Sequence, residues 1–270
     1  MRSTLVFRPT MTAGTIYGRE VGSVEPMQSI GGCEELTLNF DETKITQTNF
    51  QSSGGGNRAT VYRVNEATMS AKLQDLNPVN MARGLRALRS EVLAGTVTNE
   101  AATARAGGLV LLAHMNPSTV VVNAAPGGAA IAAENNFEVR PEGLFFLDDS
   151  PALIAAKDAW ETANPTLDPD EFPGLAIEVD YAHSGYDVLE VLTRAAPIME
   201  FYFAGMNEAM AGAGSGVHLF RCQQGLTQAL SLISGSNFAT LDIEAEILLD
   251  PTKTGAGKSK YMTFRSDIPA

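Results

Sequence analysis

Residues 238–249 read FATLDIEAEILL. Leu241, Ile243, Ala245, Ile247 and Leu249 alternate with Thr240, Asp242, Glu244 and Glu246, the period of two that a β-strand imposes by sending successive side chains to opposite faces. The pattern predicts a strand over Phe238 to Leu249 with an inward apolar face and three carboxylates in a row on the other, spaced by about 6.6 to 7 Å. Such a row has three readings: an acid–base pair, a solvated sheet face, or the border of a water-filled channel. Acid–base catalysis needs opposing groups whose surroundings drive their pKa values apart. Nothing near this strand in sequence supplies a desolvated pocket or a nucleophile.

Just downstream, DPTKTGAGKSKYMTF (residues 250–264) contains Gly255-Ala-Gly257-Lys258-Ser259, which invites comparison with a phosphate-binding loop. That loop requires Gly-x-x-x-x-Gly-Lys-Ser/Thr between a strand and a helix, so that backbone N–H groups wrap the phosphates. Thr252 stands where the first glycine belongs, and the strand-like Lys-Tyr-Met-Thr-Phe follows where the helix is needed. A Gly-rich turn between two strands is expected, and a nucleotide-dependent enzyme is disfavoured.

Composition narrows the class further. The 270-residue chain is 44% hydrophobic with mean hydropathy near zero and a net charge of −12, which fits a globular protein and disfavours sequence-independent nucleic-acid binding through clustered Lys and Arg. No run approaches the ~18 apolar residues of a membrane span, and the N-terminal residues do not resemble a secretory signal. Cys33 and Cys222 have no partners at metal-ligand spacing and are expected as buried free thiols in a reducing cytoplasm. His114, His183 and His218 are scattered, without His-x-x-x-His spacing. Asp168 and Asp170 in LDPDEF lack the further ligands of a calcium loop. No catalytic, cofactor-binding or metal-ligating residue is therefore assigned.

Along the chain, residues 1–31 are rich in Thr, Gly, Ser and Pro and read as an extended arm that gains order against another surface. Glu34 to Phe50 and Arg58 to Gln74 form a long hairpin, with Ala67, Met69, Ala71 and Leu73 facing one way and Thr68, Ser70, Lys72 and Gln74 the other. Its tip is the polar, glycine-rich Ser52, Ser53, Gly54, Gly55, Gly56 and Asn57, and the flanking strand ends lack apolar alternation, so the hairpin is expected to project. Asn77 and Pro78 open a helix over about 78–92, with Met81, Leu85 and Leu88 at helical spacing. Residues 95–107 read as loop. Short strands follow at 109–114 and 119–122, then a hairpin over 137–147 turning at Pro141 to Gly143. A short amphipathic helix is expected at 152–162, an acidic loop at 165–173, and a weak helical pattern at 226–233. The expected fold is mainly β: a two-sheet antiparallel β-sandwich or barrel with one main α-helix, a long projecting hairpin and extended terminal arms. Its body runs from 32 to 270, with an inserted segment at about 95–175.

Several motifs, taken in their order along the chain, resemble one family. They are the glycine-tipped hairpin, LQDLNP (73–78), FEVRPEGLFFL (137–147), EFYFAGMNEA (200–209) and, above all, LDIEAEILLDPTKTGAGKSKYMTF (241–264). Together, over about residues 32–265, they resemble the major tail tube proteins of long-tailed, siphovirus-like bacteriophages. The resemblance implies a virion structural protein, assembled in the host cytoplasm, whose hexameric rings stack into a tube that conducts DNA during ejection. It implies four strands per subunit in a continuous inner barrel, and a hairpin and terminal arm that reach the adjacent ring. It also implies partners: other copies of the chain, a tape-measure protein, a tail terminator and tail-tip proteins, and double-stranded DNA passing without specific binding. About twenty-four strands, ~4.8 Å apart and tilted by ~40°, close a ring of roughly 48 Å backbone diameter, wide enough for a duplex. On this basis Asp242, Glu244 and Glu246 are candidates for the lumen, and Ser52, Ser53, Gly54, Gly55, Gly56 and Asn57 for ring stacking. Lys72 would be a cationic exception on that face, or a partner for one of the acids. The 151–173 segment has no counterpart in the family's core and is expected as surface decoration. The alternative is a β-sandwich adhesin or capsid decoration protein, for which Trp160, Tyr181 and Tyr186 are a thin supply of stacking aromatics.

Overall fold

Ile16 is buried in the main core and lies on a strand, although its neighbourhood was expected as an arm. The structure, a computed structural model, describes residues 9–51, 53–232 and 238–267. Residues 1–8 of the expected arm, Ser52 of the expected tip and Ile233 of the expected 226–233 helix lie outside the described residues. The chain divides into two compact units, residues 1–89 with 189–270, and residues 90–188. The expected insertion at 95–175 falls within the second.

The first unit opens with β1 (Thr12–Glu20), β2 (Gln28–Ser29), β3 (Cys33–Thr48), β4 (Asn57–Leu73) and α1 (Pro78–Gly84), and the chain leaves it along β5 (Leu88–Val92). The second unit contains β6 (Gly95–Ala104), β7 (Leu109–Leu111), β8 (Pro117–Ala124), β9 (Ala130–Ile131), β10 (Phe137–Arg140), β11 (Gly143–Phe146), α2 (Pro151–Ala163) and β12 (Leu175–His183). The chain returns along β13 (Tyr186–Glu190) to β14 (Ile198–Asn207), β15 (Ala213–Gln224), β16 (Leu241–Ile247) and β17 (Met262–Ser266). The molecule is mainly β, with several antiparallel sheets consistent with a β-sandwich.

In the first unit one sheet runs β2-β1-β14-β15-β16-β4-β3, and β17 also pairs with β15. One edge of β15 is shared: residues 215–219 pair with β17 and residues 222–224 with β16. The core gathers Ile16 from β1, Met199 and Phe201 from β14, Leu219 and Cys222 from β15, Met69 and Leu73 from β4, and Leu241 and Ile243 from β16. Each such side chain withdrawn from water contributes about 1.5–3 kcal/mol before entropy is counted.

The structure corrects the expected arm over residues 12–30. The nine residues of β1 pair with β14 in continuous register, Thr12 opposite Asn207 through Glu20 opposite Met199. Its glycines hide the strand signal because aromatic rings stand where side chains would. A Cβ on Gly14 would meet Phe203 Cε2 at 2.8 Å, and one on Gly18 would meet the Phe201 ring at 3.0 Å. The helix expected over 78–92 is also shorter. Asn77 does cap it, accepting from the Asn80 N–H at 2.9 Å, but α1 ends at Gly84. A Cβ there would meet Thr227 Oγ1 at 2.6 Å, and Arg86 then turns the chain with φ 51°. Residues 226–232 carry no helix; Leu230 makes an isolated bridge to Leu241. β16 is shorter than 238–249, since Phe238 and Leu249 are exposed and lie outside it. Residues 250–261 form turns leading into β17, without a helix.

The second unit has a sheet ordered β6-β12-β8-β9 and a smaller one ordered β10-β11-β7. The hairpin turning at Pro141 to Gly143 is present. The loop expected at 95–107 is largely a strand: β6 pairs with β12 from Gly95 opposite His183 to Ala104 opposite Leu175. Its Thr and Ala residues advertise little, and the neighbouring strand supplies the order. The main helix of the chain is α2, over the expected 152–162. Ser150 accepts from the Leu153 N–H and donates to Asn136 Oδ1, which also accepts from the Ala152 N–H. Trp160 packs edge-on against Phe172 at 5.9 Å between ring centroids.

Both cysteines are free; Cys222 is fully buried, and burial pushes its thiol up to about 12, while Cys33 is half-buried. The polar tie between β1, β14 and β15 is Glu200. It accepts from Arg19 Nε at 2.7 Å, and His218 Nε2 lies 2.7 Å from its other oxygen. Burial alone would raise the Glu200 carboxyl, but the hydrogen bonds from Arg19 and His218 outweigh it and hold the group below its ordinary value. A depressed carboxyl contributes stability above its unfolded pKa of about 4.3 and loses it as pH falls through the lower folded value. Glu200→Gln should therefore cost about 1–3 kcal/mol at pH 7, and the gap from the parent should shrink as pH falls below 4 in urea titrations.

Candidate functional site

β16 lies between β15 and β4 and has a neighbour on each edge. Its alternation is complete: Leu241, Ile243, Ala245 and Ile247 are buried, while Asp242, Glu244 and Glu246 are exposed. The pairing sets the neighbours of each acid. Asp242 lies opposite Lys72, Glu244 opposite Ser70 and Glu246 opposite Thr68 on β4, and Glu246 is opposite Gln223 on β15. One strand further, Glu35, Thr37 and Asn39 of β3 lie opposite Lys72, Ser70 and Thr68. The polar face of β3, β4 and β16 is thus an acidic field with Lys72 as its one cation in these rows. Lys72 Nζ pairs with Glu34 Oε2 at 3.2 Å, a half-exposed contact worth little. An open depression of about 530 Å³ lies on this face, lined by Glu35, Lys72, Asp242 and Glu244 together with Leu226 and Gln228.

The second candidate is the far part of the β3–β4 hairpin. The strands stay paired from Cys33 opposite Leu73 to Thr48 opposite Asn57. Beyond Phe40 the described residues bury nothing, and the eight exposed residues from Asp41 to Thr48 extend the ribbon by about 26 Å. Asn65 Nδ2 donates to Asp41 Oδ2 at 2.9 Å and to Thr43 Oγ1 at 2.6 Å. The Asn49 N–H donates to the Gly56 carbonyl at 2.7 Å. Gly54, Gly55 and Gly56 have φ of 131°, 66° and 107°, a succession that side chains disfavour. Ser53 and Asn57 flank these glycines; Ser52 is outside the described residues. Exposed Ile45, Val61, Tyr62 and Val64 lie along the ribbon, with Phe50 near the tip. The outer edge of the sixteen-residue β3 has no strand partner among the described residues, a ready template for another chain.

The structure also assembles two clusters that spacing did not reveal. The rings of His114 and His183, expected as scattered, stack with centroids 4.0 Å apart and planes 4° from parallel, and Tyr186 Oη lies 3.0 Å from His114 Nδ1. Beside them the Tyr181 hydroxyl donates to Glu100 at 2.6 Å, and burial with that bond pushes Tyr181 up to about 12. The third histidine, His218, belongs to the Glu200 tie. No sequence signal joins positions so far apart; strand pairing alone brings them together.

One family model matches most of the chain. Residues 9–265 match the model of a family described as Protein of unknown function UCP028589, and the chain belongs to that family. No curated protein matches the chain.

The three β16 carboxylates have no packing role in the core. Replacing all three, Asp242→Asn, Glu244→Gln and Glu246→Gln, should leave stability within about 1 kcal/mol of the parent, whereas Leu241→Ala should cost about 2–5 kcal/mol. Chemical denaturation of the two variants measures both.

Proposed function

We propose that this member of the family is a structural subunit that assembles with copies of itself into six-fold rings, and that the rings stack into a tube for the passage of double-stranded DNA, as in phage tails. The observation that carries the proposal is the acidic face of β16 and its neighbours, set beside a long strand edge that has no strand partner among the described residues. Closing sheets edge to edge into a barrel satisfies such edges. An inner wall bearing Asp242, Glu244 and Glu246 would face a polyanion with one charge per ~1.7 Å of axis. At physiological salt, screened over ~8 Å, like charge keeps the duplex off the wall, whereas basic residues would hold it by many phosphate contacts.

The projecting hairpin supplies the axial contact. A ribbon with exposed Ile45, Val61 and Val64 and a glycine tip suits docking on the next ring, where those side chains leave water. The role is structural rather than catalytic. Its partners are other copies, the tape-measure protein around which a tube assembles, and terminator and tip proteins at the two ends. The site of action is the virion, after assembly in the host cytoplasm.

Negative-stain images of the purified chain, alone or with a tail initiator, should show rings or tubes; a chain that stays monomeric under all such conditions overturns the proposal. Deleting residues 52–57 should leave a folded subunit that forms rings without stacks. Replacing Asp242, Glu244 and Glu246 by Lys should preserve tubes and slow DNA release, read as ejection kinetics in reconstituted particles.

A further inference from the structure

An arginine-lined pocket in the first unit is not among the features from which the tube is proposed. It occupies about 460 Å³, and Arg83, Arg86, Arg89 and Arg194 line it, four of the chain's 19 Lys and Arg residues. Glu20 is the acid that lines it. In a chain of net charge −12, gathering guanidinium groups in one pocket runs against the general balance, and an incoming anion would offset their mutual repulsion.

The backbone is built to hold these side chains. Arg83 sits in the last turn of α1. Arg86 follows in the left-handed region at φ 51°, a conformation that costs energy for a residue with a Cβ and is kept where the surroundings enforce it. Two strands of chain are clamped there: the Arg194 N–H donates to the Arg86 carbonyl at 3.0 Å, and the Leu192 N–H to that of Leu85 at 3.2 Å. Arg86 Nε is buried with no hydrogen-bond partner, and a buried donor left unpaired is costly. Burial lowers the Arg83 guanidinium below its ordinary value, with Glu20 as the counter-charge that opposes the shift. Val79, Ala82 and Ile198 complete the wall, and their apolar surface lowers the local polarity and so strengthens attraction to an incoming anion.

We propose that this pocket binds an oxyanion carrying at least two negative charges, of the phosphate or polycarboxylate class. Planar guanidinium forks match both groups in bidentate geometry, and Arg83, Arg86 and Arg194 beside the Glu20 carboxylate leave an excess suited to such a charge. The pocket lies within the first unit of a single chain, so its test does not depend on tube assembly.

Titration calorimetry of the full chain at low salt, with inorganic pyrophosphate and separately with citrate, tests it. Saturable binding to one site is expected. The anion that binds more tightly identifies the class. The Arg86→Gln, Arg194→Gln double variant should weaken binding at least tenfold, while Arg140→Gln, which breaks the Arg140–Glu138 pair of the second unit, should leave it unchanged. Should the double variant fail to fold, the exposed Arg194→Gln alone carries the comparison, with binding read also as a rise in Tm on adding pyrophosphate. Absence of binding by both anions, or equal affinity in parent and arginine variants, overturns the proposal.

Discussion

The constraint on which the first unit depends is the burial of one face of a seven-residue strand with a neighbour on each edge. β16 is hydrogen-bonded to β4 and to β15, so its register is fixed from both sides. With Leu241, Ile243, Ala245 and Ile247 in the core, the pleat leaves Asp242, Glu244 and Glu246 no other face. A slip of one residue would bury three carboxylates, and unpaired charges pay heavily for that. The acidic wall is therefore the geometric complement of the core, which is why one substitution pattern addresses charge and another stability.

β16 and the β3–β4 hairpin were legible in the sequence because alternation and a glycine tip are local signals. The burial of Met69, Ala71 and Leu73 follows the expected faces. What escaped has physical reasons. β1 hides behind Gly14 and Gly18, whose space is filled by Phe203 and Phe201 from another strand. β6 is rich in Thr and Ala and takes its order from β12. The helix at 78 stops early because Gly84 packs against Thr227, a contact 143 residues away in sequence. Of the candidate site, the carboxylate row was visible, while the His114–His183 stack and the arginine pocket arise from pairings that no spacing encodes.

The Gly255–Ser259 segment illustrates the value of context over motif. Its glycines take φ of 130° and 77° in a turn, and the chain then enters β17 rather than the helix that would aim N–H groups at a phosphate. The arginine pocket, which matches no motif, has better chemistry for an anion.

The outer edge of β3 carries Glu34, Glu35, Asp41 and Glu42 along with its open hydrogen-bonding groups. Charged residues along an open edge discourage indiscriminate strand pairing. In the proposed assembly this seam would stay under an electrostatic lock, loosened by counterions or by a partner whose own charges fit. Salt concentration would then become part of the timing of that assembly.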